Sequence, residues 1–148
     1  MGFDLSKIQA IKEEQNNDLI ARISEFRSKV DSEKFEDIIQ KRAENTIAGG
    51  RSFFSIKVNY YKDNDANKYF VCVDYGFFNM EAYSLVGKQK EEQIAIMDKF
   101  ADVVREKITS LGLGIGEEPF RYALETYDRI LDKPDCRIMG QYHFRVKL

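Results

Sequence analysis

The residues in this sequence with the most specific chemistry are one imidazole, two thiols and a short acidic turn. His143 is the sole histidine among 148 residues, and Cys72 and Cys136 are the two cysteines. A histidine general base needs a nucleophile and an orienting group within hydrogen-bond reach. Cys136 precedes His143 within one stretch of alternating apolar and polar residues. An odd separation on such a strand puts the two side chains on opposite faces. A pair between Cys72 and His143 depends instead on the register between separate strands. Asp63-x-Asp65-x-Asn67 supplies oxygen ligands at positions 1, 3 and 5 of a calcium loop, with Asp74 at position 12. Position 6 of such a loop requires glycine and its last ligand is a bidentate Glu, whereas this sequence has Lys68 and Asp74. The segment therefore reads as a hairpin turn, in which Asx side chains bond to the local backbone.

Gly112-Leu113-Gly114-Ile115-Gly116 has the look of a phosphate-cradling glycine loop. A dinucleotide site places that loop after a strand, and here it follows a helical pattern. Glu117 and Glu118 would also repel a phosphate, so the segment is read as a helix stop followed by a turn. No metal and no cofactor are expected.

Charge distribution points elsewhere. The chain carries 23 Lys plus Arg against 25 Asp plus Glu, a net charge of −2. From residue 136 onward, however, Arg137, Arg145 and Lys147 face no acidic residue within the segment. If the apolar alternates of two strands face the helices, the opposite side of the sheet presents Lys57, Asn59 and Tyr61 beside Gln141, His143, Arg145 and Lys147. Cations interleaved with aromatic rings neutralise phosphates and stack bases, as a single-stranded nucleic-acid surface requires.

These residues need elements to position them. Over 4–29, Ile8, Leu19, Ile23 and Phe26, with Val30 just beyond, fall on one helical face, and Ser6 with Gln9 fits a capping box. The stretch from Lys12 to Asp18 is so polar that the first half of this helix is expected to pack loosely or to need a partner. Asp31 or Ser32 caps a second helix, which Gly49-Gly50 stops, so residues 1–48 read as a helical hairpin. Period 2 then takes over. Phe54, Ile56, Val58 and Tyr60 alternate with polar residues, and Tyr69–Tyr75 is apolar on nearly both sides. Residues 51–87 are thus a strand hairpin, with a third strand at Met80–Val86.

Residues 88–133 read as two helices. The first carries Ile94, Met97, Phe100, Ala101, Val104, Ile108 and Leu111, and Gly112 stops it. The second opens at Pro119 and repeats Phe120, Ala123, Leu124, Tyr127, Ile130 and Leu131. Residues 136–148 close the chain as a strand. The expected fold is α+β, a single domain of order α-α-β-β-(β)-α-α-β, with three or four mostly antiparallel strands and helices on one face.

Hydrophobic residues at 43% and aromatics at 13% exceed what a disordered chain carries. No apolar run approaches the ~20 residues of a membrane span, and no basic-then-apolar leader opens the sequence. Two cysteines make no disulfide framework, so a reducing, cytoplasmic or otherwise intracellular setting is expected, with no membrane partner. The absence of a catalytic motif and the many Tyr and Phe available to an interface point first to a non-enzymatic interaction or assembly protein. Its partner would be another protein chain, a second copy or a subunit of a larger complex. A nucleic-acid-binding accessory protein using the basic sheet face is the alternative. An enzyme built from carboxylates and tyrosines without a motif comes third.

Overall fold

The computed structural model describes residues 2–63, 69–73, 78–81, 89–128 and 133–148. In chain order these form α1 (Leu5–Val30), α2 (Glu33–Ala48), β1 (Phe53–Asp63), β2 (Tyr69–Val73), β3 (Phe78–Glu81), α3 (Lys90–Ser110), β4 (Gly114–Glu117), β5 (Arg121–Asp128) and β6 (Lys133–Lys147). The fold is α+β, with its three described helices packed on one face of an antiparallel sheet.

Helix boundaries follow from local chemistry. Asp4, not Ser6, caps α1: its carboxylate accepts the Lys7 amide at 3.3 Å, and the Ser6 hydroxyl donates to that carboxylate at 2.6 Å. Asp is as good a cap as Ser, and two residues earlier it reaches the third helical amide. Ser32 caps α2 by accepting from the Phe35 amide. Both α2 and α3 end in a Schellman motif. Gly50 and Gly112 take left-handed φ values of +76° and +79°. The amides of Gly50 and Arg51 then bond back to Ile47 and Thr46, and those of Gly112 and Leu113 to Thr109 and Ile108.

The sheet runs β3-β2-β1-β6, and β4 and β5 share the far side of β6. β1 and β6 are the two long central strands. Their register sets Phe54 opposite Val146, Ile56 opposite Phe144 and Val58 opposite Tyr142, which builds one apolar face. Against it lie Leu19, Phe26 and Val30 of α1, Phe35 and Ile39 of α2, and Met97, Phe100, Val104 and Ile108 of α3. Phe26 and Phe100 meet with ring centroids 5.7 Å apart. At Gly140 of β6, Met97 of α3 and Phe120 of the β4–β5 connection leave no room for a side chain, since a Cβ there would sit 2.7 Å from Met97 Sδ and 2.8 Å from Phe120 Cζ.

Two sequence expectations are overturned. Residues 88–133 hold one helix, not two, because Phe120–Leu131 does not continue as a second helix: Arg121–Asp128 is β5, paired with β6 from Arg121↔Gln141 to Asp128↔Lys133. Its register shifts where Glu125 faces Arg137 and Tyr127 faces Pro134, so the extra residue lies on β6, and the three-residue step from Leu124 to Tyr127 that imitated a helical repeat joins positions of opposite parity on β5. The glycine segment is likewise no simple turn. Gly114–Glu117 is β4, with Gly114 opposite Lys147 and Gly116 opposite Arg145. Glycine leaves room there, as the Lys147 side chain lies 3.3 Å from where a Gly114 Cβ would be.

The third strand occupies Phe78–Glu81, earlier than expected, and the rest of Met80–Val86 lies outside the described residues. Of the turn Asp63–Asn67, only Asp63 is described, as the last residue of β1. The last strand begins at Lys133 and so includes Pro134, which pairs at the bulged margin with Tyr127. Among the described residues, no helix is long and apolar enough to cross a membrane.

Candidate functional site

The side of β1 and β6 away from the helices carries the polar alternates, and the register arranges them in rows. Phe53 pairs with Lys147, Ser55 with Arg145, Lys57 with His143, and Asn59 with Gln141. On the other side of β6, Gly114 extends the first row, Gly116 the second, and Arg121 the row of Gln141. The Glu118 amide donates to the His143 carbonyl at 2.9 Å and closes the gap between β4 and β5. Lys57, His143, Arg145 and Lys147 are thereby brought together from strands more than 80 residues apart in the chain. Tyr61 pairs with Ile138 beyond a register shift after Tyr60, so it falls outside the regular rows.

The face is not open along its whole length. Asn59 and Gln141, expected as exposed members, are 2% and 5% exposed. Gln141 Nε2 donates to Asn59 Oδ1 at 2.8 Å. A buried amide pair satisfies itself and offers a ligand little, so these two close the middle of the sheet instead of contributing to a surface. Among the described side chains, the accessible part is the half beside Phe53–Lys57 and His143–Lys147.

Two depressions lie on that half, and a third adjoins it on the α2 side of β1. The largest, of about 570 Å³, lies between the end of α2 and the start of β1 and holds Arg42, Asn45, Arg51, Phe53 and Ser55. Through Phe53 it meets a second of about 330 Å³, with Ser52, Arg145 and Lys147. Through Arg145 that one meets a third of about 420 Å³, with Glu118, Pro119, Phe120, Arg121 and His143. Arginine and lysine recur along the whole track, and among the described residues Glu118 is the one acidic side chain lining it. Glu118 is already engaged by Arg145 Nε at 2.6 Å. The Arg145 guanidinium also lies 4.7 Å from the centre of the Phe53 ring, itself 43% exposed. Cation and ring thus form a planar platform on which a base could stack.

His143 is half-buried, with Nε2 2.8 Å from Ser55 Oγ. Burial and the positive charge of Lys57 hold its pKa below the usual histidine value. Arg121 and Arg145 add to that, and Glu118 opposes it. No cysteine stands ready to act with it. Cys72 sits opposite Asn59, two strands and one row away, and Cys136 pairs with Asp63 at the far end of β6. Two strand spacings of about 4.8 Å and a row of about 6.8 Å separate Cys72 from His143, and seven residues along β6 separate Cys136 from it.

The carboxylates come together elsewhere, on the helix side of the sheet. Arg105 of α3 binds Asp98 at 2.9 Å, Asp102 at 2.6 Å and Glu117 of β4 at 2.6 Å. Its guanidinium lies 5.3 Å from the Tyr142 ring centre and 5.2 Å from that of Phe144. Burial, then the charge of Asp98, pushes the Tyr142 phenol up to about 12. One guanidinium holding three carboxylates over two rings fixes α3 to β4 and β6, and it accounts for the grouping without a ligand.

Sequence reasoning named Lys57, His143, Arg145 and Lys147 but missed Ser55, Arg121 and Phe53. Ser55 and Phe53 were findable, since they share the parity of Lys57 on the same strand. Arg121 was hidden by its assignment to a helix. The chain matches no protein-family model, no curated protein and no solved structure.

Proposed function

We propose that this protein is a non-enzymatic binding module that takes single-stranded nucleic acid across the outer face of β1 and β6. One observation carries the reading: the three confluent depressions are lined by Arg42, Arg51, Arg121, Arg145 and Lys147, with Glu118 as the one acidic side chain among the described residues. A chain of net charge −2 that gathers cations along one track has a local field its overall charge does not describe. Along β6, Lys147, Arg145 and His143 recur every second residue, about 6.8 Å apart, which suits an extended polyanion better than a compact one. The Arg145–Phe53 platform supplies stacking without reading a particular base, so weak sequence preference follows.

The test is fluorescence anisotropy with a labelled oligothymidine at several chloride concentrations. Three or four neutralised phosphates give a log–log salt slope of roughly −2 to −3 on a single strand. Raising salt from 50 to 200 mM should then weaken binding roughly 15- to 60-fold. Absence of binding at the lowest salt would remove the reading.

A second reading, assembly with another protein chain, is favoured by a separate observation. Residues 5–18 of α1 are exposed at every position except half-buried Ile8, and Leu5 and Ile11 are each 56% exposed. A helical arm of that length is marginal in water by itself and gains from a partner. Under this reading, light scattering gives an average mass that rises with concentration, and a constant monomer mass with no captured partner counts against it.

A further inference from the structure

We propose that the cleft beside His143 is a phosphate-anchoring subsite in which His143 takes up a proton as the phosphate enters. This deepens the reading of the outer face as a polyanion surface and rests on it. The cleft lies where the connection from β4 to β5 passes β6, between Glu118, Pro119, Phe120 and Arg121 on one side and His143 and Arg145 on the other. Around the imidazole stand Ser55 and Lys57 from β1, Glu118 and Arg121 from the β4–β5 lane, and Arg145 from its own strand. The cations outnumber the carboxylate, and that carboxylate is bound to Arg145.

Without a phosphate, a proton on His143 adds one more positive charge to a half-buried cluster of them, which disfavours the charged ring. A phosphate reverses the balance, because its negative charge offsets Lys57, Arg121 and Arg145 at the place where they repel the imidazolium. A protonated ring donates from both nitrogens. Nε2 can then hold Ser55 Oγ while Nδ1 remains for an acceptor. Protonation and phosphate binding therefore favour each other.

The sign follows from linkage. The pKa of His143 is low in the free protein and raised in the complex, so affinity is greatest below the free value and declines as pH rises through the bound value. Every pH unit by which the titration midpoint rises corresponds to a tenfold gain in affinity between the basic and acidic limits.

Because His143 is the sole histidine, its ring gives one set of NMR signals in the full chain. Those signals are titrated in chloride buffer for the free protein, with inorganic phosphate, and with a short oligothymidine. The expected result is a free midpoint below 6.5 that moves up by about one pH unit with each probe. Oligothymidine affinity should also be up to about tenfold higher at pH 5 than at pH 8. His143→Asn should flatten that pH profile, leaving oligothymidine affinity at pH 5 within about twofold of that at pH 8. Oligothymidine binding with an unmoved His143 midpoint overturns the subsite and leaves the nucleic-acid reading standing. A midpoint raised by inorganic phosphate without oligothymidine binding supports the subsite and overturns the nucleic-acid reading. No response to either probe overturns both.

Discussion

Phe26→Ala is expected to lower the unfolding free energy by about 3–5 kcal/mol, while removal of residues 2–16 from the same helix costs less than about 1 kcal/mol. The contrast follows from where the two halves of α1 lie. Phe26 is fully buried, packs on Phe100 at 5.7 Å, and sits in the cluster that joins α1 to α3 and the sheet. Truncating it loses the transfer free energy of the ring and leaves a cavity that close-packed neighbours fill only in part. Against the 5–15 kcal/mol that stabilises a domain of this size, such a loss is a large fraction of the whole.

The N-terminal half contributes no such packing. Helix 5–30 is about 39 Å long, and its first buried residue is Leu19. Guanidinium unfolding distinguishes the halves: the Phe26→Ala midpoint falls steeply with the slope kept, and the shortened chain unfolds near the parent midpoint. A shortened chain that loses as much as Phe26→Ala would show that the arm packs on the body after all.

How much of this was legible in the sequence depended on whether one period governed a segment. Phe53–Tyr60 and the end of β6 alternate without interruption, so the apolar face and the polar rows could both be read off, and the pairing of Lys57 with His143 agrees with them. Between Glu118 and Asp128 the alternation is broken once, at the junction of β4 and β5, since the shift before Tyr127 adds its residue to β6. Apolar residues at both parities, Phe120 and Leu124 beside Ala123 and Tyr127, supply steps of three and four that read as a helix. That error concealed Arg121, the cation that completes the cleft at His143. Gly114 and Gly116 misled in a different way. Their alternation with Leu113 and Ile115, which both pack against the core, was a strand signal, but glycine suggests a turn when read alone. The burial of Asn59 and Gln141 had no local signal. Parity says which side of a sheet a residue occupies and nothing of what lies over it.

The combined charge reversal Lys57→Glu, Arg145→Glu and Lys147→Glu is expected to weaken oligothymidine binding by at least about 100-fold at low salt and to flatten the salt dependence. These cations occupy three successive rows of the accessible half-face, so reversing them both removes phosphate contacts and repels the strand along its path. Arg145 also carries the stacked platform on Phe53, and its loss releases Glu118 as an unpaired negative charge beside the cleft. A drop in overall charge could imitate this result. The control is Lys7→Glu, Lys12→Glu and Lys34→Glu, which changes the net charge equally at exposed helical positions away from the sheet. If the track is the site, this control leaves affinity within about twofold of the parent, because exposed charges beyond a Debye length of ~10 Å are largely screened at 0.1 M salt. Equal losses from both triples would mean that the field of the whole chain, and not the rows of β1 and β6, attracts the oligonucleotide. Unfolding midpoints for both variants keep a folding defect from passing as a binding defect. Arg145→Gln serves where the reversed charge beside Glu118 destabilises the strand, since it removes the cation without adding repulsion.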